Sequence, residues 1–194
     1  MVNLDDDDPL LQEKQAVLAK LMTWFICTGE ISIDDDLRVS VDGRVRALVR
    51  PFKNGVLPVR FKTCKGFYVD NSGLTSFAGS PEKIFGHAWY GNNRLTSLEH
   101  APQEVHGYLG LAANRITSLD GLPTVIQGIA LDYHPHMPLL KTLIADTIDF
   151  PHVNAKAPGA VERILNRYAG QGQAGALACA AELADAGYKE NAQW

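Results

Sequence analysis

Apolar residues in the middle of the chain recur with a fixed spacing of 21 residues. The segments 74–77, 95–98 and 116–119 read LTSF, LTSL and ITSL, and each is followed at equal distances by a proline and then a glycine. The prolines are Pro81, Pro102 and Pro123, and the glycines are Gly86, Gly107 and Gly128. A self-similar unit of about 20 to 29 residues is typical of a solenoid, in which each unit buries its apolar face only by stacking on its neighbours.

The unit at 107–119 shows how one repeat should fold. Leu109 and Leu111 alternate with small residues, which predicts a strand with one buried face. Asn114 follows where a buried amide can bond the backbone of adjacent turns, and Ile116 and Leu119 then enter the core. The equivalent inward pairs are Phe67 with Val69, Ala88 with Tyr90, and Ile129 with Leu131. The asparagine position of those units is taken by Ser72, Asn93 and His134.

Helices and strands are predicted on both sides of the repeats. Residues 9–27 have helical spacing, with Asp8 as the N-cap and Pro9 at the first helical position. Alternating segments at 31–33, 37–41 and 44–49 predict strands that lead into the solenoid. Beyond Pro138 the pattern predicts a short helix at 139–145, a strand at 147–150, and helices at 158–169 and 173–186. The two last helices would cover the open edge of the sheet.

These elements predict an α/β solenoid with about four units of 21 residues. The parallel sheet should be short and curved, with strands near 67–70, 88–91, 109–112 and 129–132 and with turns on its convex side. We expect a single domain over 1–194. It divides into a helical and strand cap at 1–50, repeats at 51–137, and a helical hairpin cap at 138–194.

Composition places the chain among ordinary soluble proteins, with 46% hydrophobic and 21% charged residues in a length of 194. Its apolar runs are too short to span a bilayer, and the acidic start at 5–8 does not resemble a secretory signal. We expect a cytoplasmic protein. The three cysteines, Cys27, Cys64 and Cys179, are far apart and form no C-x-x-C pair, so reduced and mostly buried thiols are expected rather than a disulfide or a zinc site.

The unit at 107–119 fits the pattern L-x-L-x-x-N-x-L-x-x-L, and the chain resembles the leucine-rich-repeat proteins carried by tailed bacteriophages and prophages. The C-terminal segments ILNRYAGQG at 164–172, ELADAGY at 182–188 and NAQW at 191–194 are similar to the tails of that family, which is the more specific match. Two departures are His134 in the asparagine position and the loss of clear anchors before Leu57. The resemblance implies a solenoid, a phage or prophage source and the bacterial host cytoplasm, but no particular activity.

Basic residues are concentrated at 38–65, a stretch that contains eight of them and a single acid, Asp42, although the whole chain has a net charge of −4. Arg44, Arg46 and Arg50 fall on alternate positions opposite apolar residues, so one strand face should display a row of guanidinium groups. Two interpretations stay open: a solvated edge, or an anion-binding patch for an acidic protein surface, a nucleotide or nucleic acid. Strong acidity elsewhere argues against general binding of duplex DNA.

Aromatic residues alternate with the inward pairs and should face outward. The residues expected to form this column are Tyr68, Trp89 and Tyr108, continued by Asp132 and flanked by His87. Exposed aromatic residues of this kind are typical of binding hot spots. The alternative is that one of the caps folds over them. Because the strands stack in chain order, the arginine row should lie beside Tyr68.

Sequence motifs for catalysis are lacking, since neither G-x-S-x-G nor H-E-x-x-H occurs. His134 and His136 are better explained by the asparagine position than by a metal. We therefore expect no enzyme, no cofactor and no metal. The leading hypothesis is a phage-encoded protein that binds a host protein, such as a defence or nucleic-acid-processing factor, through its concave face. The alternative is a protein that binds or sequesters a nucleotide or another phosphorylated small ligand.

Overall fold

A computed structural model describes residues 8–48, 51–151 and 158–194. The chain forms a solenoid of about five turns with helices at both ends. Within the described residues, nine strands form one mostly parallel sheet. The predicted solenoid is confirmed.

The N-terminal cap consists of helix α1 (Pro9–Trp24) and three strands: β1 (Phe25–Cys27), β2 (Ile31–Ile33) and β3 (Arg38–Ala47). Helix α1 begins as predicted, because the Asp8 carboxylate accepts the Leu10 amide hydrogen at 3.0 Å and Pro9 follows it. The helix is shorter than predicted, since the chain extends at Phe25 and β1 pairs antiparallel with β3. The strands predicted at 37–41 and 44–49 form one strand as far as Ala47, and 49 lies outside the described residues.

The parallel part of the sheet contains β4 (Arg60–Tyr68), β5 (Lys83–Ile84), β6 (Ala88–Trp89), β7 (Glu104–Gly110), β8 (Val125–Ala130) and β9 (Thr147–Asp149). One inward row runs through Phe67, Ala88, Leu109, Ile129 and Ile148, which pair in register and are fully buried. A second buried row, Cys64, Ile84, Val105 and Ile126, lies earlier on the same strands. This second row explains why β4, β7 and β8 begin several residues before the predicted positions and why β5 precedes β6, which begins at Ala88 as predicted.

Two buried asparagines hold neighbouring turns together. The Asn114 amide group donates to the carbonyls of Leu111 and Tyr90, and its oxygen accepts the Leu95 amide hydrogen. Asn93 makes the equivalent bonds one unit earlier, including donation to the Tyr90 carbonyl. Each side chain thus satisfies backbone groups of two successive units, as the repeat predicted.

His134 does not replace the buried asparagine in the last unit, contrary to the prediction. Its ring is only half-buried, and its Nδ1 accepts the His136 amide hydrogen at 3.3 Å. A different amide lies near this position: Asn191 in the C-terminal tail donates to the carbonyls of His134 and Met137, in the loop after the last repeat strand. Its oxygen accepts a hydrogen bond from the Tyr133 hydroxyl at 2.9 Å. The tail therefore completes the last turn.

The C-terminal cap contains a 3-10 helix (Leu140–Ile144), β9, α2 (Gly159–Tyr168) and α3 (Gln173–Asp185). Asn166 on α2 forms two hydrogen bonds with the backbone of Ile148 in the edge strand β9. Its side-chain oxygen accepts the Ile148 amide hydrogen at 2.9 Å, and its side-chain nitrogen donates to the Ile148 carbonyl at 2.7 Å. The predicted helical hairpin thus covers the sheet edge, which would otherwise present unpaired backbone groups.

Candidate binding face

The outward face of the parallel sheet carries the residues with recognisable binding chemistry. One row in register runs through Arg46, Tyr68, Trp89, Gly110, Ala130 and Asp149. A neighbouring row contains Tyr108, Gly128 and Thr147. Tyr108 is therefore two residues out of line with the predicted aromatic column, because Trp89 pairs with Gly110. The two rings nevertheless stack, with centroids 5.6 Å apart and planes inclined by 29°.

Glycines on the next strand make room for both rings. A Cβ atom on Gly110 would lie 2.3 Å from Trp89 Cε3, and one on Gly128 would lie 2.5 Å from Tyr108 Cδ2. Each ring thus lies against the neighbouring strand rather than projecting freely into solvent. Trp89 keeps 38% of its surface exposed in this position. The caps therefore do not cover Trp89 in the described part of the chain.

A groove of about 590 Å³ opens beside the stacked rings. The described residues that line it are His87, Trp89, Tyr108, Ala130, Asp149, Phe150, Pro151 and Glu162. The strands supply Trp89, Tyr108, Ala130 and Asp149, His87 directly precedes β6, and Glu162 comes from α2. The groove therefore lies where the sheet meets the C-terminal cap.

Hydrogen bonds fix the side chains that line the groove. The Tyr108 hydroxyl donates to the Asp149 carboxylate, and His87 Nδ1 accepts the Tyr108 amide hydrogen at 3.0 Å. The second bond leaves the imidazole hydrogen on Nε2. Partial burial, followed by the hydrogen bond and the negative charge of Asp149, raises the pKa of Tyr108 above its ordinary value. Tyr108 is therefore held as a neutral hydroxyl that donates to the carboxylate.

Sequence reasoning found three of the groove residues and missed its two carboxylates. It named Asp132 as the continuation of the column, but the Asp132 carboxylate accepts the Asn114 amide hydrogen at 3.0 Å and does not line the groove. Asp149 occupies the outward row instead. It lies on β9, beyond the end of the repeat pattern, so periodicity alone could not identify it. The only sequence signal was the short alternating segment at 147–150.

A second aromatic pair on the same face was also missed. Phe85 and His106 stack with ring centroids 5.9 Å apart, and the Lys83 ammonium lies 5.2 Å from the centre of the Phe85 ring. Phe85 is 54% exposed. These residues lie toward the start of the strands, so exposed aromatic surface continues past the groove.

Arg44 and Arg46 both project from the outward side of β3, where each is exposed. The Arg46 guanidinium carbon lies 5.1 Å from the centre of the Tyr68 ring, a cation–π distance. The predicted adjacency of the arginine row and Tyr68 is therefore present at Arg46. Among the described residues, neither arginine forms a salt bridge with a carboxylate. Arg50, the third member of the predicted row, lies outside the described residues.

Three of the other basic residues at 38–65 are paired with carboxylates among the described residues. Arg38 forms salt bridges with Asp34 and Glu82, and Lys62 also bonds Asp34. The backbone N–H of Arg38, with help from Lys62, holds the pKa of Asp34 below its usual range. Lys65 pairs with Asp42 at 2.6 Å. On the outward side of β3, Arg44 and Arg46 therefore keep their positive charge without a paired carboxylate among the described residues.

The three cysteines are free thiols, and all are at least partly buried. Burial raises the pKa of Cys64 to about 12 and those of Cys27 and Cys179 to about 11, so these thiols stay protonated near neutral pH. Over residues 8–48, 51–151 and 158–194, no group of three or more His, Cys, Asp and Glu side chains is arranged to hold a metal ion. The helices in those ranges are all too short or too polar to cross a bilayer.

Comparison of the chain with protein-family models, with curated proteins and with solved structures finds no match. The resemblance to phage leucine-rich-repeat proteins therefore stays a prediction.

Proposed function

We propose that this protein is a non-catalytic binding module that holds another protein on the outward, concave face of its sheet. The observation that carries the proposal is the Trp89–Tyr108 stack, which is exposed, set against glycines and open to a groove. Aromatic residues held rigid at the surface contribute much of the binding energy of protein interfaces, because they bury large area at a small entropic cost.

The charge at the N-terminal end of the face favours a partner with an acidic surface. Arg44 and Arg46 are exposed and have no carboxylate partner among the described residues, whereas Arg38, Lys62 and Lys65 do. A partner carboxylate could pair with either guanidinium without breaking an existing ion pair. Such charges mainly speed association and select the partner.

We further propose that this protein is encoded by a phage or prophage and acts in the bacterial host cytoplasm. The partner would then be a host protein, with a defence or nucleic-acid-processing factor as the first candidate. This extension is supported by the resemblance of the repeats and of the tail at 164–194 to phage proteins. Capture from a bacterial lysate followed by mass spectrometry would identify the partner.

A nucleotide or another phosphorylated small ligand is the second candidate, because Arg46, which has no salt bridge among the described residues, lies beside the half-buried ring of Tyr68. Guanidinium groups bind phosphate, and an aromatic ring can stack on a base. A thermal-stability screen against nucleotides separates the two candidates. A nucleotide at 100 times its dissociation constant would add about 2.7 kcal/mol to the free energy of unfolding.

Two variants of the outward face test the proposal. We expect Trp89→Ala, and separately the double change Arg44→Glu with Arg46→Glu, to abolish partner capture. The arginine reversal should change the free energy of unfolding by less than about 1 kcal/mol, whereas Trp89→Ala also loses the stack on Tyr108 and should cost about 1–3 kcal/mol while the chain stays folded. Added salt should weaken capture by the wild type and matter less for the charge-reversed variant, because exposed charges are screened over about 10 Å at 0.1 M.

Matched controls lie away from this face. Leu177→Ala removes an apolar side chain that is 84% exposed on α3, and Arg94→Glu with Arg115→Glu reverses two exposed charges in the connecting turns. Both controls should capture the partner as the wild type does. If Trp89→Ala and the arginine reversal both retain full capture, the concave-face proposal is wrong, and the C-terminal hairpin becomes the next surface to examine.

A further inference from the structure

The two ends of the outward row carry opposite charges. Arg46 begins the row on β3 and Asp149 ends it on β9. Glu162 adds a second carboxylate at the β9 end, where both acids line the groove. Among the described residues that line it, none is a lysine or an arginine. The face is thus positive where the first strands lie and negative where the last strands lie.

We infer that the groove is a subsite for a basic side chain, an arginine or a lysine, carried by an extended segment of the partner protein. This inference rests on the proposed function and specifies the chemistry of the docked segment. The same segment would carry an acidic residue that meets Arg44 and Arg46. The partner is therefore recognised by two opposite charges at a fixed separation rather than by acidity alone.

The groove has the parts that bind a cation. A guanidinium or ammonium group beside the exposed part of Trp89 would gain a cation–π interaction, and Asp149 and Glu162 would supply the counter-charges. The Tyr108 hydroxyl donates to Asp149 and so fixes the direction of that carboxylate before any ligand arrives. Binding to a side chain that is already oriented costs less entropy.

Other occupants of the groove would be opposed by the same residues. A carboxylate or phosphate would be repelled by Asp149 and Glu162. An apolar side chain would remove water from these carboxylates without offering a partner, which is unfavourable. A basic side chain with an aliphatic stem is the natural group that satisfies both the apolar walls and the acids.

Strand spacing sets the distance between the two charges of the partner. The middle of the groove lies between three and four strand spacings from Arg46, about 17 Å at the usual 4.8 Å per strand. An extended segment that crosses the strands would cover this distance with about five residues. An acid and a base about five positions apart therefore fit the face.

Defined peptides test the subsite without knowledge of the partner. The probes are acetylated and amidated peptides in which glutamate and arginine are separated by four glycines, made in both sequence orders. Matched peptides contain citrulline, the neutral isostere of arginine. Each is titrated to about 10 mM into the ¹⁵N-labelled full chain, and the indole N–H signal of Trp89, assigned from its loss in Trp89→Phe, is followed.

We expect at least one arginine peptide to shift the Trp89 signal and to bind about tenfold more tightly than its citrulline counterpart. Asp149→Asn with Glu162→Gln should abolish this difference in affinity, because the two negative charges that attract arginine are removed. Both replacements keep the size of the side chains and their capacity for hydrogen bonds. Thermal unfolding at the wild-type temperature would confirm that the double variant is folded.

Equal binding of the arginine and citrulline peptides would overturn the inference, and so would the absence of any Trp89 shift. These failures are distinct from failure of the proposed function. If Trp89→Ala abolishes capture from lysate while Asp149→Asn with Glu162→Gln leaves capture intact, the binding face stands and the cation subsite does not.

Discussion

The two faces of the same sheet differ in how closely they follow the repeat. On the inward face the fully buried residues one unit apart are all apolar, as in the row Phe67, Ala88, Leu109, Ile129 and Ile148. On the outward face the row passes from Arg46 through aromatic residues and small residues to Asp149. Packing constrains every inward position in the same way, whereas nothing in the solenoid requires a tryptophan or an arginine outside. Packing of the solenoid therefore does not explain the departures from the repeat on the outward face, and the proposed binding function rests on them.

The largest test of this contrast is a truncation on the inward face. Leu111 is almost fully buried, so Leu111→Ala should lower the free energy of unfolding by about 2–5 kcal/mol, the range for a buried leucine. Leu119→Ala should behave in the same way. Chemical denaturation measures both, with the exposed Leu177→Ala as the matched control, expected within about 0.5 kcal/mol of wild type. Midpoints that do not move for Leu111→Ala and Leu119→Ala would refute the assignment of the core.

A smaller loss is expected from the asparagine layer. Asn114→Ala would leave the Leu111 carbonyl without its side-chain donor and the Leu95 N–H without its side-chain acceptor, and should cost about 1–3 kcal/mol. Asn191→Ala removes the same kind of bond from the last turn and should fall in the same range. Asn114→Asp keeps the acceptor but loses the donor, so it should be at least as unstable as Asn114→Ala near neutral pH. If Asn114→Ala is neutral, the amide does not hold the turns together.

The inward face could be predicted from sequence because its constraints repeat. Spacing alone identified the inward pairs and the amides of Asn93 and Asn114, all of which are buried. It failed at the last unit, where the tail residue Asn191 acts 57 positions from His134. No local sequence pattern predicts a contact between residues so far apart in the chain. The starts of β4, β7 and β8 were also misplaced, since the earlier inward row of Cys64, Ile84, Val105 and Ile126 was not used.

The outward face was predicted only in part. The alternation of inward and outward positions correctly predicted that Trp89 and Tyr108 face outward, because each lies beside an inward residue on its own strand. The stack between their rings depends on glycines of the following strands and on a register that differs from the simple column. The carboxylates come from β9 and α2, outside the repeats. A site assembled from the repeats and a cap is visible only once the cap has been positioned.

The smallest expected effect is the dependence of stability on the titration of two tyrosines, Tyr90 on the inward face and Tyr108 on the outward face. Burial raises the pKa of Tyr90, which lies inside the solenoid, whereas for Tyr108 the Asp149 carboxylate adds to the effect of partial burial. The unfolded chain loses its tyrosine protons near pH 10, while folded Tyr108 retains its proton there. The contribution of Tyr108 to stability is therefore present below about pH 10 and is lost as pH rises above it.

Asp149→Asn separates the two tyrosines. It removes the negative charge beside Tyr108, so the pKa of Tyr108 should fall toward its ordinary value while that of Tyr90 stays raised. Difference absorbance of the tyrosinate band, compared with Tyr108→Phe, identifies the Tyr108 titration and shows how far Asp149→Asn moves it. An unchanged titration would mean that burial alone raises the pKa of Tyr108. The Tyr108–Asp149 hydrogen bond would then contribute little to holding the wall of the groove.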